Sequence, residues 1–188
     1  MDQPPSTPAL IVGVDIAAAT VVAVGAPTPT ATSPAQAFAN GAPGWAAWQA
    51  WVAQQGGQPA TTLLVMEATG ASWQGLATAL AAAGWTVSVA SPTSVHHYAR
   101  ARLRRAKTDA VDAAVLAAYG RDLHPAPWTP TPADVQTLQL LIRQRDDLIA
   151  MQTETRNRQH ALSKLPAVPD AARAPLAALL AVLQEQLA

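Results

Sequence analysis

The sequence predicts an α/β fold in which a mixed five-stranded sheet is flanked by helices and followed by a helical tail. Short apolar runs rich in branched side chains recur through the first 90 residues and are typical of buried strands. Helical periodicity separates the later runs, and only helical periodicity follows the proline-rich stretch at 124–132. The resulting order, β-β-β-α-β-α-β-α and then the tail, describes a sheet with helices on its faces.

Each predicted element has a local signal. Branched apolar runs bounded by turn residues predict strands at 9–16, 20–25, 36–40, 62–67 and 85–90. Proline starts and glycine ends predict helices after Pro43, at 72–83 before Gly84, from Pro92, and at 108–119, where Gly120 marks the end. Tryptophan recurs every three residues on the first helix, at Trp45, Trp48 and Trp51. This stripe favours core packing over ligand stacking.

The composition limits the chain to one modest core and excludes several function classes. Of the 188 residues 50% are apolar, but 44 residues are alanine, so large side chains are scarce. The absence of cysteine excludes disulfide scaffolds, thiolate zinc sites and cysteine nucleophiles. No apolar run approaches the ~18 residues of a membrane span, and the polar leader at 1–8 does not resemble a signal peptide. We expect a disordered leader, a cytoplasmic location and no membrane partner.

The formal net charge of zero hides an asymmetry between the two halves. Residues 1–99 contain three acids and no Lys or Arg, whereas residues 100–188 contain 12 bases and 9 acids. Five bases lie within eight residues, namely Arg100, Arg102, Arg104, Arg105 and Lys107. Such a charge run is usually a solvated face. If neighbouring acids bind a metal ion, however, the same run favours contact with nucleic-acid phosphates.

The acids of the first half are few enough for their positions to be informative. Asp15 lies at the end of the first predicted strand and Glu67 at the end of the fourth. Ligands and catalytic groups gather at the strand ends of α/β sheets. If these two strands are neighbours, both side chains point into one crevice, where a carboxylate needs cationic compensation.

Asp109 and Asp112 are spaced i, i+3 and therefore share one face of the fourth predicted helix. Like charges at this spacing repel each other, and a divalent cation would relieve the repulsion. Four carboxylates without His or Cys suit Mg²⁺ or Mn²⁺, and a two-metal site could support phosphodiester transfer. Structural roles stay open as alternatives, because helix N-termini favour Asp109 and tight turns favour Asp15.

The tail carries a leucine-rich stripe at three- and four-residue spacings. A polar segment at 152–160 interrupts the stripe, and Pro166 and Pro169 break it before it resumes at Leu176. Such a stripe cannot be satisfied in isolation, so the tail packs as a helical hairpin or pairs with another chain. A dimerising, coiled-coil-like element is the favoured alternative.

Four strings, in this order and spacing, resemble the N-terminal half of the DEDD transposases of bacterial insertion sequences. They are GVDI at 13–16, MEATG at 66–70, AKTDAVDA at 106–113 and PW at 127–128. The resemblance covers roughly residues 9–165 and implies an RNase H-like, RuvC-like catalytic domain. Position by position, it implies a catalytic, metal-binding tetrad of Asp15, Glu67, Asp109 and Asp112. It also implies Mg²⁺ or Mn²⁺ as cofactor, DNA as substrate, a guide RNA from the element as partner, and a homodimer or higher homo-oligomer formed through the tail.

The implied organisation is a leader at 1–8, a RuvC-like domain at 9–128 and a helical dimerisation tail at 129–188.

Two features depart from the family. Three alanines at 17–19 follow the first aspartate, where family members often carry a polar pair. Family enzymes also continue into a second domain with a serine nucleophile, which no segment of this chain resembles. We therefore expect this chain to be inactive in complete strand exchange when alone.

The favoured function is the N-terminal catalytic domain of an RNA-guided DNA recombinase, acting in transposition by metal-dependent strand cleavage and transfer. The alternative is a non-catalytic nucleic-acid-binding and dimerisation module derived from such a transposase. A sugar-kinase-like phosphotransferase is a weaker interpretation, because it would need a second domain of similar size. His96 and His97 lack a third ligand, so we do not expect them to bind metal.

Overall fold

The structure, a computed structural model, describes residues 8–27, 31–102 and 108–187. The predicted class is confirmed, and so are the five strands and the four helices predicted before the tail. The order differs in an added 3-10 turn and in two helices, where the predicted order has one, between the last strand and the tail. The elements are β1 (Leu10–Ile16), β2 (Thr20–Ala26), β3 (Gln36–Ala39), α1 (Ala42–Gln54), the 3-10 turn (Pro59–Thr61), β4 (Thr62–Glu67), α2 (Ser72–Ala82), β5 (Thr86–Ala90), α3 (Pro92–Ala101), α4 (Asp109–Leu123), α5 (Ala133–Ser163) and α6 (Asp170–Gln186).

The five strands form one mixed sheet in the order β3-β2-β1-β4-β5. β1 is antiparallel to β2 and parallel to β4, while β3 is antiparallel to β2 and β5 is parallel to β4. An antiparallel three-stranded meander that continues into parallel strands, with helices on both faces, is the RNase H-like arrangement expected from the resemblance. The short loops between β1, β2 and β3 explain the antiparallel half, and the helical crossovers explain the parallel half.

One face of the sheet is covered by α1 and α2 and carries the larger core. Trp48, Leu64, Met66 and Leu80 are fully buried there. The indole of Trp48 meets that of Trp85 edge to face, with 6.1 Å between ring centroids. Core packing of the tryptophan stripe is therefore confirmed, since the other two members of the stripe are half-buried against the same core.

The opposite face is covered by α3 and α4 and carries a smaller hydrophobic core. A Cβ atom on Gly13 of β1 would lie 2.0 Å from the carbonyl oxygen of Ala113 and 2.3 Å from the amide nitrogen of Ala117. Both atoms belong to the backbone of α4, so neither can rotate away. Glycine at position 13 therefore allows α4 to lie directly against the strand.

The prediction that α4 ends near Gly120 was wrong, because the helix continues to Leu123. Gly120 is buried inside the helix, and a Cβ atom there would lie 2.5 Å from Val65 Cγ2 and 3.0 Å from Ile11 Cγ2. Its small size therefore serves close packing on the sheet. His124 caps the helix instead, in the left-handed conformation with φ of 45°.

The proline-rich segment after α4 is packed along the outer strand β5. The amide of Trp128 donates to the Val87 carbonyl oxygen at 2.7 Å, and the Ser88 hydroxyl donates to the carbonyl oxygen of Ala126 at 2.8 Å. The Trp128 ring also meets Trp73 edge to face at 5.6 Å. This segment therefore completes the edge of the sheet as well as leading to the tail.

The chain divides into two compact units between Pro130 and Thr131. In the second unit α5 and α6 pack against each other as a helical hairpin, one of the two alternatives left open by the sequence. The polar segment at 152–160 continues the helix, and Thr155 within it is buried with its hydroxyl donating to the Met151 carbonyl oxygen at 2.7 Å. Pairing with a second chain stays a prediction. None of the helices in the described ranges is long and apolar enough to cross a membrane.

Candidate metal and nucleic-acid site

Two neighbouring parallel strands bring Asp15 and Glu67 together. The register of β1 and β4 pairs Val14 with Met66, directly before the two acids. Adjacent strands lie about 4.8 Å apart, and residues at matching positions point to the same face. Asp15 shares the orientation of Gly13, so both carboxylates lie on the face that is covered by α4.

The first turn of α4 brings Asp109 and Asp112 to the same place. Thr108 begins the helix, with its hydroxyl oxygen accepting from the Val111 amide at 3.3 Å. The helix runs antiparallel to β1, since Ala113 lies against Gly13 while the later Gly120 lies against Ile11. The start of α4 therefore lies at the strand end that carries Asp15.

All four acids line a single open cleft of about 590 Å³, which we name the acid cleft. Its other lining residues come from β1, from the loop after β4, from α3 and from α4, and the polar ones are Thr69, His96 and Arg100. The four residues nominated as a tetrad thus share one surface, although they come from three separate segments of the chain. Their assignment as metal ligands and catalytic groups stays a prediction.

The acids of the cleft influence one another electrostatically. The pKa of Asp15 is raised from 3.8 to about 6, chiefly because burial disfavours the ionised form. The negative charges of Asp112, Asp109 and Glu67 raise it further, whereas the hydrogen bond from the Ile16 backbone amide lowers it. Proximity to three like charges is the arrangement that a bound cation relieves.

The chemistry of the donors fits a divalent cation, and the site is open. Carboxylate oxygens are the ligands that Mg²⁺ and Mn²⁺ prefer. Within the described ranges, no group of three or more His, Asp or Glu side chains lies close enough together to enclose an ion.

Thr69 orients one of the acids and was missed in the sequence. Its hydroxyl donates to Oε1 of Glu67 at 2.6 Å, and Thr69 itself lines the acid cleft. The bond occupies one carboxylate oxygen and leaves Oε2 available for a ligand. The MEATG string contained Thr69, but a side-chain bond across a loop of two residues has no periodic signal.

The predicted basic surface is divided among different environments. Arg100 lines the acid cleft, whereas Arg102 forms an ion pair with Asp122 and lies over the Tyr98 ring, 5.3 Å from its centroid. Arg102 is therefore engaged within the protein. Three other predicted phosphate ligands, Arg104, Arg105 and Lys107, lie outside the described residues.

Asp122 links the C-terminal parts of α3 and α4. It accepts from the Tyr98 hydroxyl at 2.6 Å and from Arg121 Nε at 3.1 Å. The Tyr98 hydrogen bond and both arginines hold the pKa of Asp122 below its usual value. Burial and the same carboxylate raise the pKa of Tyr98 to about 12. The cluster holds α3, and with it Arg100, against the helix that carries the acids.

His96 and His97 are exposed on α3, with ring centroids 6.1 Å apart and planes tilted by 52°. Of the two, His96 lines the acid cleft. Neither belongs to a group of three ligands within the described ranges.

The fold and the cleft define an RNase H-like domain whose acids gather where parallel strands end. A model of the DEDD transposase family matches residues 12–164. The chain therefore belongs to the DEDD transposase family. It is also similar to the pilin gene-inverting proteins of Moraxella lacunata and Moraxella bovis, with 34% and 33% identity over 126 residues. That match covers 67% of this chain and 39% of each relative, so the chain spans about two fifths of the length of these proteins.

Proposed function

We propose that the acid cleft binds a divalent cation, Mg²⁺ or Mn²⁺, and that this chain provides the phosphodiester-cleaving part of a DNA recombinase. The observation that carries the proposal is that Asp15, Glu67, Asp109 and Asp112 line one cleft. Membership of the transposase family and the name of the Moraxella relatives, which denotes the inversion of a gene, support DNA as the substrate.

The protein's own residues would act by holding ligands and charge. The four carboxylates would provide oxygen ligands, with Thr69 fixing the orientation of Glu67. Divalent metal held there would supply positive charge for the developing negative charge on the phosphodiester oxygens. The carboxyl group of Asp15 must be ionised to act as a metal ligand. Metal binding is therefore expected to weaken as the pH falls through about 6, the raised pKa of Asp15.

Arg100 is the arginine of the described chain that lines the acid cleft, and we propose that it contacts a nucleic-acid phosphate. Phosphate contacts position a nucleic acid without reading its sequence, and they weaken as salt is raised. The guide RNA implied by the family resemblance would use the same basic segment, which begins at Arg100. Dimerisation would use the apolar residues of α5, several of which are exposed.

A second candidate is a non-catalytic nucleic-acid-binding module. It is favoured by the open arrangement of the acids, since no enclosed group of three ligands occurs in the described residues. This candidate predicts nucleic-acid affinity that survives neutralisation of Asp15 and Glu67 but falls when the arginines at 100, 102, 104 and 105 are replaced by alanine.

A titration with Mn²⁺, followed by the relaxation of water protons, tests the proposal. The full chain is measured at pH 7.5 with and without a short DNA duplex. We expect binding that Asp15→Asn or Glu67→Gln reduces at least tenfold. Asp170→Asn is the control, because Asp170 is an acid that lies, like Asp109, in the first turn of a helix but belongs to the other unit. Equal affinity in Asp15→Asn, or no binding by the wild type with DNA present, would contradict a metal site and favour the second candidate.

A further inference from the structure

Asn40 follows β3 and is bonded to both sides of the turn that joins β1 to β2. Its side-chain nitrogen Nδ2 donates to the Ala17 carbonyl oxygen at 2.9 Å, and its backbone amide donates to the Ala19 carbonyl oxygen at 2.9 Å. Its oxygen Oδ1 accepts from Trp45 Nε1 at 2.9 Å. The same Nδ2 lies 3.5 Å from the Ser72 carbonyl oxygen, a longer contact.

Apart from the bond from Trp45, these contacts end in the segments that follow the first two acids of the cleft. Ala17 is two residues beyond Asp15, and Ser72 is the first residue of α2, five residues beyond Glu67. Asn40 therefore touches both connections at the strand ends where the acids lie, while its own side chain is not among the residues that line the acid cleft. It can influence the acids only through the backbone that carries them.

The indole of Trp45 fixes the direction of the amide. An indole nitrogen is a donor only, so it must face the oxygen of the Asn40 amide. The amide nitrogen then faces the Ala17 carbonyl, which can only accept. The three groups are complementary in one orientation, and Asn40 is half-buried, so rotation of the amide would leave groups unpaired.

We propose that Asn40 is a positioning residue for the acid cleft, holding the turn after Asp15 in the geometry that metal binding requires. The proposal rests on the function proposed above and extends it to a residue outside the cleft. Displacing ligands by a fraction of an ångström is enough to weaken a metal site, and residues that orient ligands change metal affinity by about 10- to 100-fold.

The test compares Asn40→Leu with a matched variant, Gln49→Leu. Leucine has a similar size to asparagine and forms no hydrogen bonds. Gln49 also accepts from an indole, that of Trp85, at 3.1 Å. Trp85 directly precedes β5, so this second bond lies at the opposite end of the strands from the acids. Both variants therefore remove a tryptophan–amide bond, but only one of them lies beside the proposed site.

Three measurements are made on the full chain, namely Mn²⁺ affinity at pH 7.5, amide hydrogen exchange at residues 17–20 and the thermal midpoint. We expect Asn40→Leu to weaken Mn²⁺ binding about tenfold and to accelerate exchange in the turn. Both variants should lower the thermal midpoint by similar amounts. Gln49→Leu should nevertheless keep the Mn²⁺ affinity and the hydrogen exchange of the turn as in the wild type. Trp45→Phe, which removes the donor that orients Asn40, should give a smaller change in the same direction.

The possible outcomes distinguish a failure of the positioning role of Asn40 from a failure of the proposed metal site. If the wild type binds Mn²⁺ through Asp15 and Asn40→Leu binds it equally well, the positioning role of Asn40 is overturned while the metal site stands. If the wild type shows no Asp15-dependent binding, the metal site is overturned. In that case unchanged exchange at residues 17–20 in Asn40→Leu overturns the proposed hold on the turn as well, and accelerated exchange supports it.

Discussion

The two faces of the central sheet are built by different means. Large buried side chains, among them Trp48, Leu64 and Met66, fill the face beneath α1 and α2. On the other face, α4 approaches β1 so closely that backbone meets backbone at Gly13. Side chains can change rotamer when a neighbour changes, whereas backbone in contact cannot. The acid cleft lies on the face where the distance between helix and sheet is fixed by the main chain.

This difference separates stability from site geometry. Most of the buried apolar volume lies on the face away from the acids, so truncating side chains there should reduce the free energy of unfolding without moving the cleft. Disturbing the contact between β1 and α4 should both reduce the free energy of unfolding and move the cleft. Three substitutions test the separation, in order of decreasing effect on stability.

Trp48→Ala is expected to give the largest loss of stability. The side chain is fully buried and touches the indole of Trp85. Truncation of a large buried aromatic side chain lowers the free energy of unfolding by about 3 to 5 kcal/mol. Urea denaturation measures the loss, and a Mn²⁺ titration of the folded fraction at low temperature should give the wild-type affinity. A loss below about 1 kcal/mol would contradict the account of this face.

Gly13→Ala should cost about 1 to 3 kcal/mol by overpacking, but it should also weaken Mn²⁺ binding at least tenfold. The added Cβ atom meets the α4 backbone at 2.0 Å and must displace the helix that carries Asp109 and Asp112. Denaturation and Mn²⁺ titration are measured together.

Gly25→Ala is the matched control for Gly13→Ala. Gly25 lies on the neighbouring strand β2, and a Cβ atom there would have its nearest contact, Ser33 Oγ, at an ordinary 3.5 Å. We expect no change in Mn²⁺ affinity for this control. If Gly13→Ala also leaves the affinity unchanged, the close contact does not position the acids.

Asp15→Asn should have the smallest effect on stability, and the size of this effect should depend on pH. The pKa of Asp15 is raised to about 6 in the folded protein, so its contribution to folding stability is full below pH 3.8 and is lost as the pH rises through about 6. With metal chelated at pH 8, asparagine is therefore expected to raise the free energy of unfolding by about 1 to 2 kcal/mol, a value reduced for partial solvation.

Urea denaturation at pH 4 and pH 8 checks the prediction for Asp15. The gain should shrink at pH 4, where most of the wild-type carboxyl is protonated in the folded protein. Saturating Mg²⁺ at pH 8 should reverse the order, because the ion stabilises only the protein that binds it. A destabilised Asp15→Asn protein at pH 8 without metal would contradict the prediction, because it would show that burial and repulsion do not disfavour the ionised Asp15 carboxylate in the folded protein.

The strands could be predicted because each is a short apolar run with turn residues on both sides, and β4 begins and ends at the predicted residues. The end of α4 could not. Glycine stops helices and also permits close packing, and only the contact of Gly120 with Val65 and Ile11 decides between these roles. Gly13 posed the same difficulty, since its sequence context is that of any buried strand.

The candidate site was partly predictable for a similar reason. Asp15 and Glu67 stand out because acids are scarce in the first half of the chain and both end strands. Asn40 carries no such signal, because it is bonded to groups 23 and 32 residues away. Nor could the sequence pair Arg102 with Asp122, which removes that arginine from the exposed basic run.

The strands and helices, the asymmetry of charge and the four candidate acids can be identified from the amino-acid sequence, because they depend on local periodicity and residue type. Which faces of these elements meet depends on the three-dimensional packing. It set the parallel register that aligns Asp15 with Glu67, the approach of α4 through Gly13, and the bonds by which Asn40 holds the turn. These contacts join residues distant in the chain, and their geometry follows from packing that no local pattern encodes.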